Sequence, residues 1–536
     1  MSPNIIEQLD NVTTVLHDAL DNYISFDAIL DRVANEVQLV TSCGEKLKRI
    51  EESIKTFRNS TSTIVPISSL PPEILTRIFR IVLDDQPDLV DATHAPLIVS
   101  LSSPKYPETL SHVCSGWRRI AVASHELWSR IDLVLHHPLG PGLLARAKAQ
   151  VNRVGPLSLD VRIIDPPLDS DYSQYNELDD FEDFEDFDFL ASSQTPMSTL
   201  SLVSYRGLQL EHYNFIFYCI SNCAQQTLKK LVIWDVCGYG SPQCFIESAC
   251  NPQYPGSLQI ELSEQILEGV WHSTSVLHLA GIYPYWTSRA YHQLVDLRLG
   301  SNKTGGRASV SEVEIINILK ASPGLRVFHL HLHLTDSLPD DSPILPIQLD
   351  ELESVNLSSF LIDPSRVLRF ITPGRKPLRL SIFGAPTDAT EQFFRRSNVT
   401  QLRMIRWEDY PLANALRLCP NLSVLVLDGW GSTGATNIQT TPEQGVEDAQ
   451  VAHRSIPTMY MLRCKVTMAC LQHIVEVHSV QELTLWKTHP EVLEEHAYDW
   501  PRNFQTADEA EIPSLCPVVN YPEDGASSPI DDWDLF

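Results

Sequence analysis

For 536 residues the chain is poor in positive charge: 40 Lys and Arg stand against 68 Asp and Glu, a formal net charge of -28. General nucleic-acid binding needs concentrated cations to meet phosphates, so that class is excluded, and a basic partner surface fits better. The eleven cysteines are scattered without framework spacing. Even the densest group, Cys219, Cys223, Cys237, Cys244 and Cys250, contains no paired C-x-x-C knuckle, so buried reduced thiols are expected rather than disulfides or a zinc site. The opening residues Met1 to Gln8 lack the basic and apolar regions of a secretory signal. No apolar run approaches the roughly 20 residues that cross a bilayer. A cytoplasmic and/or nuclear protein without membrane association is the expectation.

What the chain does have is enough apolar residues, 43%, to bury cores, and a length that calls for two or more domains or a repeat array. Residues 1–60 are polar, with apolar positions at helical spacing: Val33, Val37, Val40, Leu47, Ile50, Ile54 and Phe57. This pattern fits an amphipathic helix pair or a short coiled coil, with Gly44 where a heptad would place an apolar residue.

Residues 61–135 suggest a small helical bundle. Ser68 and Ser69 offer capping hydroxyls, and Pro71 and Pro72 fall in a first turn, where a missing backbone donor costs little. Ile74, Ile78 and Val82 share a stripe, flanked by Leu75 and Phe79, that ends at Asp84-Asp85-Gln86-Pro87. Leu110, Val113, Cys114, Trp117, Ile120 and Ala121 repeat the three-and-four spacing, and Trp128 with Ile131 closes the unit. A bundle this small rarely supplies more than about 3 to 5 kcal/mol by itself, so apolar residues it leaves exposed call for a partner.

The ordered pattern Leu70-Pro71-Pro72-Glu73-Ile74-Leu75, then Val113-Cys114-Ser115-Gly116-Trp117-Arg118, then Leu127-Trp128-Ser129-Arg130-Ile131 resembles the F-box family, most closely the variant of fungal F-box-like proteins. The resemblance covers about 65 residues of the chain. It implies a non-catalytic module that binds the Skp-type adaptor of a cullin-RING ubiquitin ligase, and Leu70, Pro71, Ile74, Ile78, Val113 and Trp117 match the adaptor-binding positions. The stretch from Asp84 to Thr109 departs from the family's compact connection and puts adaptor affinity in question.

Beyond residue 150 the texture changes to L-x-x-L-x-L alternations centred on Leu157, Leu200, Leu231, Leu277, Leu297, Phe328, Val355, Leu378, Leu402, Leu425, Met459 and Leu483. The shorter intervals match the 20 to 29 residues of leucine-rich repeats, and two long ones leave room for insertions. Helices are expected between strands, as at Val313–Ala321, Pro411–Leu418 and Met468–Val477. No strand-plus-helix unit can bury its apolar side alone, so neighbours must stack. The expected fold class is therefore α+β multidomain: an N-terminal helical F-box bundle at 61–135, then a curved α/β leucine-rich-repeat-like solenoid over 150–490. A disordered acidic insertion at 165–195 and an acidic tail at 491–536 complete the plan. The asparagine usual after a repeat strand is mostly absent, and a non-repetitive α/β domain is the competing fold.

Catalytic constellations are weak. Gly429-x-Gly431-x-x-Gly434 matches a dinucleotide fingerprint by letters, but the Thr-rich, Pro442-containing continuation does not open a helix, and a loop between repeats explains it better. His329, His331 and His333 alternate and are expected on one face of a strand, open to a partner or to pH. The outer pair of such a set stands too far apart to share a metal ion. Arg403, Arg406 and Trp407 form the best patch for an acidic or aromatic ligand, and Trp234, Trp286, Trp430 and Trp486 either join such a rim or pack between repeats. No cofactor is implied. The sequence reads as the target-recognition subunit of an SCF-type ligase, with a repeat scaffold carrying a degenerate F-box as the alternative and an enzyme a distant third.

Overall fold

The structure is a computed structural model. It describes residues 3–60, 66–86, 104–167, 189–190, 195–236, 244–252, 256–300, 308–339, 345–406, 416–430, 455–466, 468–488 and short pieces of the C-terminal region, among them 516–522, 528–530 and 533. The chain divides into two units, Met1–Asp85 with Lys105–Ser124, and the remainder.

In the first unit residues Pro3–Ser60 form one continuous α-helix of 58 residues, about 87 Å long at 1.5 Å per residue. No turn breaks it, so the helix pair offered by the sequence is not formed, and the spacing of its apolar residues lies along a single helix. Pro66–Ser69 then makes a short 3-10 turn, and the helix Pro72–Asp84 comes next. Its start is where two prolines predict it, but the expected serine cap is absent: Pro71 occupies the N-cap position without a side-chain bond, and Ser69 Oγ donates instead to the Pro66 carbonyl at 2.6 Å. Glu108–His112 and Ser115–Ala123 complete the unit, the latter capped by Cys114 Sγ, which accepts from the Trp117 amide at 3.4 Å. The small core consists of Leu75, Phe79, Leu110 and Ala121.

The second unit is built on a fourteen-stranded sheet whose paired strands are all parallel and whose spatial order matches the chain order of the strands it contains. Ile131, Val161, Leu200, Leu231, Leu277, Leu297, Phe328, Val355, Leu380, Leu402, Leu425, Met459, Leu483 and Val519 face one another across successive strands in one unbroken row. All but Val519 are buried, as are the residues two positions further on, from Leu133 to Leu485. Full burial of each such side chain contributes about 1.5 to 3 kcal/mol, and strict alternation leaves the intervening residues on the opposite face.

Ten of the twelve register positions read from the sequence lie in this row. The row runs through Val161 and Leu380 rather than Leu157 and Leu378, because Leu157 precedes its strand, Leu159–Asp165, and Val355 pairs with Leu380, two residues past Leu378. The division between units also falls earlier than expected: Trp128 and Ile131 belong to the second unit, Ile131 on the first strand, Arg130–Val134, rather than closing the helical bundle. Among the connecting helices, Glu312–Ala321 carries a capping box of Ser311 and Glu314, and Met468–Val477 has the expected limits. Pro411–Leu418 lies mostly outside the described residues. The longest interval, Leu231 to Leu277, holds two strands, Cys244–Ser248 and Leu258–Ile260, and the helix Glu264–Trp271; the strand Ile282–Pro284, just past it, completes a small three-stranded parallel sheet.

The turns that follow several strands share one backbone feature. Gly281, Gly384, Arg406, Gly429, Arg463 and Lys487 all stand four residues after the ladder position and all take positive φ, between 49° and 93°. In four of them, Gly384, Arg406, Gly429 and Arg463, the amide donates to the next strand, to the carbonyls of Ile405, Asp428, Leu462 and Trp486. This left-handed residue turns the chain out of the sheet while keeping its N–H paired. Gly429 is therefore a repeat turn; Gly431 and Gly434 lie outside the described residues.

Candidate functional site

Two surfaces carry the sequence signal, one with exposed apolar side chains and one whose charged side chains are largely buried. The first is in the helical unit. Ile74 is 45% exposed and Val113 53% exposed, Pro71 is exposed, and Leu70 and Ile78 are half-buried. With Ile81 and Val122, also exposed, they leave apolar side chains in water around a core of four residues. Trp117 behaves differently: its ring centroid lies 4.8 Å from that of Phe79, a fully buried residue. It is half-buried and helps hold the unit together, so its role is at least partly structural.

The second surface is the face of the parallel sheet opposite the core. Its residues form ion-pair ladders along and between strands. Arg130 Nε donates to Asp132, and Arg162 Nη2 donates to Asp160 at 2.8 Å. Asp296 accepts from Arg298 Nε at 2.9 Å and lies 3.1 Å from His278 Nε2. Burial opposes ionisation of Asp296, but the hydrogen bonds from His278 and Arg298 outweigh it and bring its carboxyl down to about 2. Further along, Asp428 accepts from Arg403 Nη2 at 2.5 Å and from Arg463 Nη2 at 2.6 Å.

The residues read from the sequence as a target-binding group are dispersed over this framework. His329 is only 6% exposed, and burial, reinforced by the charges of Arg298 and His331, lowers its imidazole to about 3. It is neutral at physiological pH and neither open nor pH-sensitive there, contrary to expectation. His331 lies just past the end of the strand Val327–Leu330 and 3.3 Å from Asn356 Oδ1. His333 belongs to another strand, His333–Thr335, paired with Ser309–Ser311 in a separate small sheet. The chain leaves the main sheet after Leu330, so the three histidines do not share one strand face. Arg403, 4% exposed, is occupied by Asp428, whereas Arg406 is exposed in its left-handed turn; together they do not make an open cationic patch. Trp407 lies outside the described residues.

The tryptophans divide as well. Trp286 is buried against Tyr283, Phe245 and Tyr291, with ring centroids 5.2 to 5.8 Å away, and so packs inside the unit rather than at a rim. Trp234 reaches across to Gly300, where a Cβ would stand 2.5 Å from its ring. Trp486 lies on the sheet face, with Lys487 Nζ 4.3 Å from its ring centre.

Asp165, expected to open the acidic insertion, instead ends a strand and is fully buried, 3.1 Å from His136 Nδ1 and 3.2 Å from His212 Nε2. Residues 168–188, with most of the phenylalanine-rich acids, lie outside the described residues. Burial raises the thiols of Cys219, Cys223 and Cys244, as suits inert packing. Among the described residues no group of His, Cys, Asp and Glu is arranged to hold a metal, and no helix is long and apolar enough to cross a membrane.

Sequence reasoning missed the occupant of the sheet face. Ile530 and Trp533, from the acidic tail, are buried in a cluster with Val426 and Leu462, and half-buried Val424, Tyr460 and Trp486 pack against it. The guanidinium of Arg379 stands 4.9 Å from the centre of the Trp533 ring, and Asn356 Nδ2 donates to the Trp533 carbonyl at 3.2 Å. The available signal was an isoleucine and a tryptophan three residues apart in an otherwise polar terminus. Compared with known proteins, the chain matches no family model and no curated protein.

Proposed function

We propose that the chain is a substrate-recognition subunit of an SCF-type cullin-RING ubiquitin ligase, with the helical unit as an F-box that binds a Skp-type adaptor. In this reading Leu70, Pro71, Ile74, Ile78 and Val113 supply the contact and Trp117 braces it. The fourteen-stranded sheet and its helices act as a curved leucine-rich-repeat-like solenoid that holds a target protein. The observation that carries the reading is the exposure of Ile74 and Val113, at positions that match the family motif, in a unit whose own core is small.

No nucleophile is required of such a subunit. Holding a target lysine near a ubiquitin-charged enzyme raises its effective concentration, and the other subunits supply the chemistry. Mixed with a recombinant Skp-type adaptor, the full-length chain should elute as a complex, and a Leu70→Ala, Pro71→Ala variant should not. Separate elution of the folded wild type would overturn the proposal and leave a repeat scaffold with a degenerate F-box.

A further inference from the structure

The last described residues of the chain do not trail away from the repeat unit. They lie across the face of the sheet opposite the core. The amide of Trp533 donates to the Ile530 carbonyl at 2.8 Å, a tight turn that brings both side chains to one side. Ile530 and Trp533 enter an apolar recess built from Val426 and Leu462, with Tyr460 and Trp486 at its edge.

Polar contacts fix direction beside this recess. Asn356 Oδ1 accepts from the Ser358 amide at 3.0 Å, which assigns its Nδ2 as the donor to the Trp533 carbonyl. Arg379 stands over the indole, in the geometry of a cation–π contact. The occupant is written Ser528-Pro529-Ile530-Asp531-Asp532-Trp533-Asp534. Its acidity matches the cations Arg379 and Lys487 beside the recess, Arg463 being already paired with Asp428. An apolar pair in a pocket, a directional backbone bond and a charge match are the ingredients of peptide recognition.

We propose that this recess is a docking site for acidic peptide segments bearing an isoleucine and a tryptophan three residues apart, and that the C-terminus occupies it as a tethered competitor. The proposal deepens the reading of the sheet face as a capture surface, and does not depend on adaptor binding. A short tether gives the tail an effective concentration of about millimolar. An external segment must therefore outcompete it, and target capture is gated by release of the tail.

The probe is a fluorescent peptide of residues 526–536, titrated by anisotropy against the full-length chain and against full-length Ile530→Ser, Trp533→Ser. The double variant should bind the peptide at least about tenfold more tightly than wild type, and an added Leu462→Asp should abolish that gain. Equal affinity of the two chains would overturn the proposal, as would equal binding of a scrambled peptide of the same charge. Hydrogen exchange on the wild type supplies a readout free of folding effects: saturating peptide should speed exchange of the Ile530 and Trp533 amides, and unchanged exchange would overturn it. Adaptor binding should be the same for wild type and double variant, so failure of the docking site and failure of the ligase reading are separable.

Discussion

At the scale of single residues, a side chain's role depends on which neighbour it meets, and a sequence does not print that neighbour. Trp117 fits an adaptor contact by motif, yet it stacks on Phe79. Trp117→Ala should cost about 2 kcal/mol of stability, less than full burial of the ring would imply, whereas Ile74→Asp, at an exposed site, should change stability by only about 0.5 kcal/mol. Thermal unfolding of the two variants checks this; equal stability losses would contradict the packing role.

His329 makes a second residue-scale prediction. Its folded imidazole titrates near 3, well below the 6.5 or so of an unfolded histidine. Between those values the unfolded chain binds more protons, so the contribution of His329 to stability is present above about pH 6.5 and is lost as pH falls. His329→Gln should lose about 1 kcal/mol less stability than wild type between pH 7 and pH 5, in urea unfolding at each pH. Parallel losses would show that His329 is not buried neutral.

Elements were legible where period and punctuation agreed. The prolines at 71 and 72 mark the helix Pro72–Asp84, and the helix expected at Val313–Ala321 forms as Glu312–Ala321, behind a capping box of Ser311 and Glu314. The alternation of apolar residues located most strands, since one face of each is buried and a one-residue slip would expose it. It failed where two apolar residues two apart offered equivalent registers, as at Leu378 and Leu380. Positive-φ turns at Arg406, Arg463 and Lys487 had no sequence signal, because the residues there are not glycine. The histidine strand was misread because alternation cannot report where a chain leaves its sheet.

The continuous helix Pro3–Ser60 carries exposed apolar residues from Ile6 to Phe57. Gly44 sits within it, and a Cβ there would meet no atom within 4 Å. Gly44→Ala should stabilise this helix by about 1 kcal/mol, visible as slower amide exchange around residue 44. No change, or faster exchange, would mean that the helix is broken at that point in solution.

For the whole molecule, regular spacing carried most of the information. Repetition of a buried pair, such as Leu277 with Leu279 or Leu425 with Leu427, suffices to order strands along a sheet, because each strand can cover its apolar row only against the next. The earlier start of the sheet at Arg130–Val134 was hidden by overlap: Ile131 completes the F-box-like spacing and also begins the ladder. The tail was invisible as an element because its few apolar residues fold onto strands far away in sequence, and no local period announces such a contact. In the proposed reading target specificity belongs to this scale, since it would be set by side chains that successive strands bring side by side.

The ligase reading stands on the exposed apolar surface of the helical unit, and calorimetric titration of the full-length chain with a Skp-type adaptor tests it most directly. Saturable binding that is lost in Ile74→Asp, Val113→Asp, a variant expected to stay folded because both sites face water, is the predicted result. No heat of binding from the folded wild type, or undiminished binding by the variant, would contradict it.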